Sequence, residues 1–387
     1  MAEGQVSISR RGAERLRSGH LWVYRSDVRG AEAESGDIVR VKDERGNFVG
    51  RAFFSSRSQI TLRLLTREDA PVNREFFKAR IQAAAEYRKR VVEDTEAFRL
   101  IYSEADLLPS LIVDRYADWL VIQTLSQGAE RYKEEFVSIL TELFSPRGIL
   151  ERNDPRVREL EGLERKISLL HGEVPEEVVA SRNGVRFVHD LYKGQKTGGF
   201  LDQRENQRAA ATYASGEVLD CFTYHGGFAL TMAAHAAQVE AIDLSGAAIE
   251  IARRNQELNG IPNVAFREAN SFDILKACDE SGRRFDTIIL DPPAFAKNRD
   301  SVAAALRGYK EINLRALKIL KTGGSLITSS CSYHIPESLF LQVIAEAAND
   351  VRRGVQIVDR RTQSRDHPIL LTMPETHYLK CMIIRAI

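Results

Sequence analysis

The sequence predicts an α/β protein: a doubly wound parallel sheet in the C-terminal half, preceded by a small β-barrel module and a central α+β module. Two observations carry this. From about residue 205, short apolar runs ("EVLDCF", "QVEAIDLS", "VAFREAN", "DTIILDPP", "GSLITSS") alternate with helical stretches, notably 245–258 and 301–321. Such near-continuous apolar strands, with helices between them, belong to a parallel sheet covered on both faces. Before residue 70, by contrast, strand follows strand with turns between them.

In chain order, "RGAERLRSGHLWVY" reads as a short helix ending near Gly19, then an aromatic strand. "DIVRVKDERGNFVGRAFF" reads as two strands joined by a turn around Arg45-Gly46-Asn47, and "QITLRLL" alternates as a third. Residues 74–92 carry apolar positions at helical spacing. Residues 99–124 give a strand, a loop, and strands turning at Asp118; "RYKEEFVSILTELF" is an amphipathic helix, followed by strands at "GILERN" and "KISLLHG". The expected domains are 1–72, 73–180 and 181–387, with a hairpin at 181–200 as connector. "QIVDRR" and "YLKCMIIRAI" add two final strands.

Composition narrows the class. Residues 1–90 hold 19 Lys and Arg against 12 Asp and Glu, while the remainder hold 36 against 42. A basic front on a chain of net charge +1 points to a polyanionic partner, nucleic acid. The start "MAEGQVSISRR" has no apolar h-region. No apolar run approaches the roughly 18–20 residues of a membrane span, so no membrane partner is expected. Four scattered cysteines without a C-x-x-C pair argue against a disulfide framework or a zinc site, and no metal is expected. A reducing cytoplasm is the expected compartment.

Ligands of such sheets bind at the carboxyl ends of the strands. After the first strand comes "DCFTYHGGF" (220–228), an acid and then Gly226-Gly227 opening a helix. After the second comes Asp243 in "AIDLS", placed to bind ribose hydroxyls. Both features also suit a dinucleotide dehydrogenase. The fourth strand ends in "DPPAF" (291–295), whose prolines fix a rigid rim beside the nucleotide site. The fifth ends in "SSCSYH" (329–334), with Cys331 at a strand end among hydroxyls that pack a core poorly. Cys221, Cys278 and Cys381 read as core residues. His225 and His334 read as wall residues near the pocket.

The set "DCFTYHGGF", "AIDLS", "DPPAF" and "SSCSYH" resembles a class I S-adenosylmethionine-dependent methyltransferase. With "KTGGFLDQRENQ" (196–207) and the N-terminal module, the whole chain resembles the ribosomal RNA large subunit methyltransferase I family. The resemblance implies an N-terminal PUA-like RNA-binding domain, a central α+β domain and a Rossmann-like methyltransferase domain. It also implies S-adenosylmethionine as cofactor, large-subunit rRNA as partner and 5-methylcytosine as product, and it leaves room for a homodimer. By the same resemblance Asp220, Gly226 and Gly227 border the methionine part of the cofactor, and Phe222, Leu244 and Asp291 are further cofactor contacts. Asp243 lies at the ribose, and Asn270, Ser271 and Phe272 flank the adenine. The family often has an acid where this chain has Asn270, whose amide oxygen can accept a hydrogen bond without the charge. Gln203 and Arg204 would touch cofactor or RNA.

Strands four and five are neighbours in this sheet type, so Asp291 and Cys331 should face each other. The expected chemistry is covalent: the Cys331 thiolate adds to carbon 6 of cytosine, and Asp291 holds the base edge. Two other readings stand beside it. One is a methyltransferase for another atom, such as guanine N7, which needs no cysteine. The other is a non-catalytic RNA-binding assembly factor. Arg10, Arg11, Arg15 and Arg17 are the candidate RNA-backbone contacts of the first module.

Overall fold

The computed structural model describes residues 4–296 and 298–387. The chain divides into two compact units, each assembled from separate segments. The first comprises Met1–Ala180, His189–Leu201 and Arg365–Thr376; the second comprises Ser181–Val188, Asp202–Ser364 and His377–Ile387.

The first unit holds a six-stranded sheet in the order Trp22–Tyr24, Ile60–Thr66, Phe48–Phe54, Ile38–Asp43, Gln5–Ile8, Val28–Glu32. It also holds a five-stranded sheet in the order Lys166–Gly172, Gly148–Asn153, Trp119–Thr124, Leu111–Tyr116, Ala97–Tyr102. The expected division at residue 72 is not a break in packing. Phe53 and Leu65 from the first sheet share one core with Phe77 and Ile81 of helix Arg74–Val91 and with Phe136 and Ile149. Apolar side chains on the inner face of the first sheet thus bind it to the central module.

The basic helix Arg10–Arg17 is capped by Ser9, whose hydroxyl accepts from the Gly12 amide at 3.1 Å. Its arginines face internal partners. Arg11 and Arg15 both donate to Asp27 (2.7 and 2.8 Å), Arg17 donates to Asp43 (2.7 Å), and Arg10 donates to Glu14 (2.7 Å). Burial raises the Asp27 carboxyl, but its bonds to Arg11 and Arg15 outweigh that and hold it below the ordinary range. The four arginines expected to meet RNA therefore each carry an acidic partner already.

The second unit contains a seven-stranded sheet, whose strands are numbered here from its own first strand. They are β1 (Glu217–Cys221), β2 (Gln238–Asp243), β3 (Val264–Glu268), β4 (Phe285–Leu290), β5 (Leu320–Ser330), β6 (Val355–Arg361) and β7 (Lys380–Ala386). Their spatial order is β3-β2-β1-β4-β5-β7-β6. The first five are parallel, while β7 runs antiparallel to both β5 and β6, so the sheet is mixed. The helices are α1 (Arg204–Ala211), α2 (Gly227–Met232), α3 (Gly246–Asn259), α4 (Ser271–Ser281), α5 (Val302–Ile319) and α6 (Glu337–Asp350).

Side-chain alternation along the strands gives two cores. Leu219, Ile288 and Leu290 pack with Tyr309, Ile312 and Phe340. Val218, Val239 and Ile289 pack with Phe228, Ile249 and Ala252. The strand order reverses between β1 and β4, which opens a crevice at their carboxyl ends. Ile289 sits fully buried on β4 directly beside Asp220 of β1. Ile289→Ala should destabilise the fold by about 2–5 kcal/mol through lost burial and a residual cavity. Denaturant unfolding would show a lower midpoint with an unchanged slope, and a loss under ~1 kcal/mol would contradict the central placement of this strand.

Candidate active site

Everything that follows β1 is shaped by an acid and a strained loop. Phe222 (φ 66°), Tyr224 (φ 51°) and Gly226 (φ 81°) are all left-handed. Two non-glycine residues held there within one loop store conformational energy on the order of 1–3 kcal/mol each. Asp243, at the end of β2, holds that loop in place. Its Oδ2 accepts from the Tyr224 amide and its Oδ1 from the Ser245 amide, both at 2.9 Å. Beneath the loop lies Asp220, fully buried, with Oδ2 accepting from the Thr223 hydroxyl (2.6 Å) and the Ala229 amide (3.1 Å). Its Oδ1 has no hydrogen-bond partner among the described residues. Burial pushes this carboxyl up to about 7, and the nearby charge of Asp291 adds to the rise. A side chain at Gly227 would put its Cβ 2.4 Å from Nε2 of Gln207, so a larger residue there would have to displace that glutamine side chain.

The structure divides the expected cofactor residues into two sets. Phe222, Asp243, Leu244, Asn270, Phe272 and Asp291 present surface at the strand ends, Leu244 being 71% exposed. Asp220, Gly226, Gly227, Ser271, Gln203 and Arg204 are buried behind them. Asn270 caps α4, its Oδ1 accepting from the Phe272 amide at 2.9 Å. Phe222 and Phe272 meet edge to face at 6.4 Å, and Phe272 continues through Phe295 to Tyr309. An unpartnered buried carboxylate oxygen, a glycine pair opening the helix after the loop and an exposed apolar residue after an acid fit a cationic nucleoside ligand.

Gln203 and Arg204 depart from expectation, because neither offers surface to a ligand. Arg204 is wholly buried and meets Glu205 at 3.4 Å. Gln203 acts from below: its Nε2 donates to Asp291 Oδ1 at 2.7 Å, and its Oε1 accepts from Asn206 Nδ2 at 2.7 Å. Asn206 Oδ1 in turn accepts from Arg361 Nε at 3.0 Å. The carboxylate of Asp291 is thereby oriented by residues of α1 and β6.

Cys331 is the first residue past β5 and is partly exposed, its Sγ lying 3.9 Å from the Pro292 carbonyl oxygen. The adjacency of β4 and β5 brings the Asp-Pro-Pro turn and this cysteine together. Its serine neighbours act as fasteners. The buried Ser332 hydroxyl accepts from the Ala296 amide (3.1 Å) and pairs with the Tyr309 hydroxyl (3.0 Å). The other three cysteines are buried, and burial raises their thiols: Cys221 well above the ordinary value, Cys381 to about 12, Cys278 more modestly. His225 is likewise buried and pulled down to about 3 by burial and by Arg182, so it stays neutral. Sequence reasoning missed Asn206, whose partners include a residue of the distant β6.

Family models match this chain as a PUA-like domain at residues 6–67 and as an S-adenosylmethionine-dependent methyltransferase at residues 163–372. A curated ribosomal RNA large subunit methyltransferase I from Tolumonas auensis is 40% identical over 379 residues, covering 95% of this chain and 96% of its own. The protein of the same name from Shewanella denitrificans is 41% identical over 388 residues, covering 97% and 98%. Among solved structures, a methyltransferase-like protein complexed with S-adenosylhomocysteine superposes with a TM-score of 0.84 at 21% identity, covering 98% of this chain and 99% of that one. A Streptococcus mutans structure gives 0.83 at 21% identity with the same coverage, and both likenesses speak for the fold. No described helix is long and apolar enough to cross a membrane. The crevice thus belongs to a Rossmann-like methyltransferase that uses S-adenosylmethionine, and the chain is a member of the ribosomal RNA large subunit methyltransferase I family.

Proposed function

We propose that this chain forms 5-methylcytosine in large-subunit rRNA through a covalent adduct between Cys331 and the target base. The observation that carries the reading is the position of Cys331: partly exposed at the end of β5, beside the Asp291-Pro292 turn, while the other three cysteines are buried. Carbon 5 of cytosine is a weak nucleophile. Addition of the Cys331 thiolate to carbon 6 moves the ring electron pair to carbon 5 and makes an enamine. Bound S-adenosylmethionine supplies an electrophilic methyl group on a sulfonium. Once carbon 5 carries that methyl, its proton passes to solvent water, the C–H electron pair restores the double bond and the thiolate is expelled. Asp291, oriented by Gln203, accepts a hydrogen bond from the amino edge of the base and offsets charge as the adduct forms.

The names of the curated relatives and the basic balance of residues 1–90 support rRNA as substrate. Since Arg10, Arg11, Arg15 and Arg17 are already paired with acids, phosphate contacts fall to other cations or require exchange of these partners. The target base must leave its stack to reach the strand ends.

Mapping 5-methylcytosine in rRNA from cells with and without this protein tests the product. Large-subunit rRNA carrying 5-fluorocytosine tests the route. Fluorine cannot leave as a proton does, so the thiolate should remain bound, and a protein–RNA species resistant to denaturant should accumulate. If methylation falls on a guanine instead, and no such species forms, the cytosine reading is wrong.

A further inference from the structure

Behind the reacting cysteine lies a lysine with no acidic partner. Lys380 opens β7, opposite Ser330 of β5, and is only 3% exposed. Its Nζ donates to two carbonyl oxygens, those of Ser332 (2.7 Å) and Tyr378 (2.9 Å). The side chain starts across from residue 330 and ends on the carbonyl of residue 332, so it runs alongside Cys331. Among the described residues no carboxylate lies within ion-pair distance of Nζ. A buried ammonium without a counter-charge is costly.

The hydrogen bonding explains how such a group is tolerated. A neutral lysine amine has two N–H donors and one lone pair; the two carbonyls take both donors and leave the lone pair as the remaining direction. We propose, on the reading that Cys331 is the nucleophile, that Lys380 accepts the Cys331 thiol proton and holds the resulting thiolate as its counter-ion. The balance is simple. The Sγ–H bond breaks, its electron pair stays on sulfur, and the proton becomes the third N–H of Nζ. When the thiolate is expelled from the methylated base, the same ion pair is restored. Lys380 thus acts through Cys331 and not on the base.

The electrostatic surroundings agree with this. Burial lowers the Lys380 ammonium to about 8, and the charge of Cys331 opposes the drop. The other titratable groups at this site are Asp291 after β4, Tyr309 on α5, Glu337 on α6, and Tyr333 and His334 on the cysteine's own loop. Glu337 is paired with Arg360, and burial raises the Tyr309 hydroxyl, which leaves it neutral near pH 8. Lys380 is the buried amine of the set.

The test needs no RNA and no methyl transfer. The full-length protein is pulsed with iodoacetamide between pH 6 and 10, and alkylation of the Cys331 peptide is followed by mass spectrometry. In the wild type the midpoint of the pH profile should lie below that of a free thiol, about 8.5. Lys380→Met should slow alkylation at pH 7.5 at least about tenfold and move the midpoint up by a unit or more. Lys380→Arg, which keeps a positive charge, should retain a midpoint below the free-thiol value. An unchanged profile in a folded Lys380→Met protein would overturn the proposal. Should that variant not fold, a wild-type midpoint at or above the free-thiol value overturns it equally. The covalent reading fails by a different result, methylation by Cys331→Ala, so the two failures are distinguishable.

Discussion

Cys331→Ala is expected to lower methylation by on the order of 10⁴-fold or more, because removing a covalent nucleophile removes a whole reaction path. The fold should survive: Cys331 lies on a loop held by Ser332, Tyr309 and Lys380 through atoms other than its own sulfur. Affinity for S-adenosylmethionine should change little, since the residues expected to hold it follow β1, β2 and β3. Covalent capture of 5-fluorocytosine rRNA should vanish with the thiol. Cys221→Ala is the control, for that thiol is buried at the end of β1 and capture should persist. Asp291→Ala should slow capture without abolishing it. Single-turnover methylation and denaturing electrophoresis read all three. Cys331→Ala methylating at near wild-type rate would exclude the adduct.

Asp220→Asn should separate stability from ligand affinity, with opposite signs. The folded carboxyl titrates at about 7 against an ordinary 3.8, so the folded state holds a proton that the unfolded chain has released. Stability contributed by this group is therefore intact below pH 4, falls as pH rises from about 4 to 7, and is flat above. Some three pKa units correspond to roughly 4 kcal/mol at most. The asparagine loses nothing with pH, although an amide N–H placed where Oδ1 lacks a partner costs about 1–3 kcal/mol. Relative to wild type, the variant should gain at least ~2 kcal/mol between pH 4.5 and pH 8 in chemical denaturation. Over the same range it should bind S-adenosylmethionine roughly 10–100-fold more weakly at pH 8, since a buried negative charge beneath the loop favours a sulfonium above it. Wild-type affinity should itself decline below pH 7, and S-adenosylhomocysteine, which lacks the sulfonium charge, should depend less on pH. A calorimetric titration showing equal affinity for both proteins at pH 8 would remove Asp220 from the cofactor site.

The sheet was legible because its strands are apolar on both faces, and runs such as "DTIILDPP" have few other uses in a folded chain. The adjacency of the strands that carry the Asp-Pro-Pro turn and Cys331 was legible for a related reason: the connection order of a doubly wound sheet places strands four and five side by side. What escaped notice depends on distance in sequence. Gln203 reaches Asp291 across 88 positions, and no local pattern distinguishes a glutamine that orients a carboxylate from one that faces solvent. The left-handed Phe222 and Tyr224 were invisible for the opposite reason, since aromatic residues give no hint of positive φ. The antiparallel course of β7 follows from the route of residues 365–376, which carry neither helical nor strand periodicity. The arginines of the first helix show the limit of charge counting: it found the cations but could not see Asp27 and Asp43 beside them.

That same segment, Arg365–Thr376, belongs to the first unit although it is made nearly two hundred residues after Ala180. Met373 is buried in the core with Val6, Ile8 and Leu64, and Asp366 accepts from the Arg99 amide while its carbonyl accepts from Arg88. During vectorial synthesis at about 5–20 residues per second, the earliest-made unit must wait on the order of ten to thirty-five seconds for its last piece. Until then the contacts that Met373 and Asp366 make with this unit cannot form. It follows that the first unit cannot be cut out at residue 180 or 201 as a complete piece, because Arg365–Thr376 would be left behind.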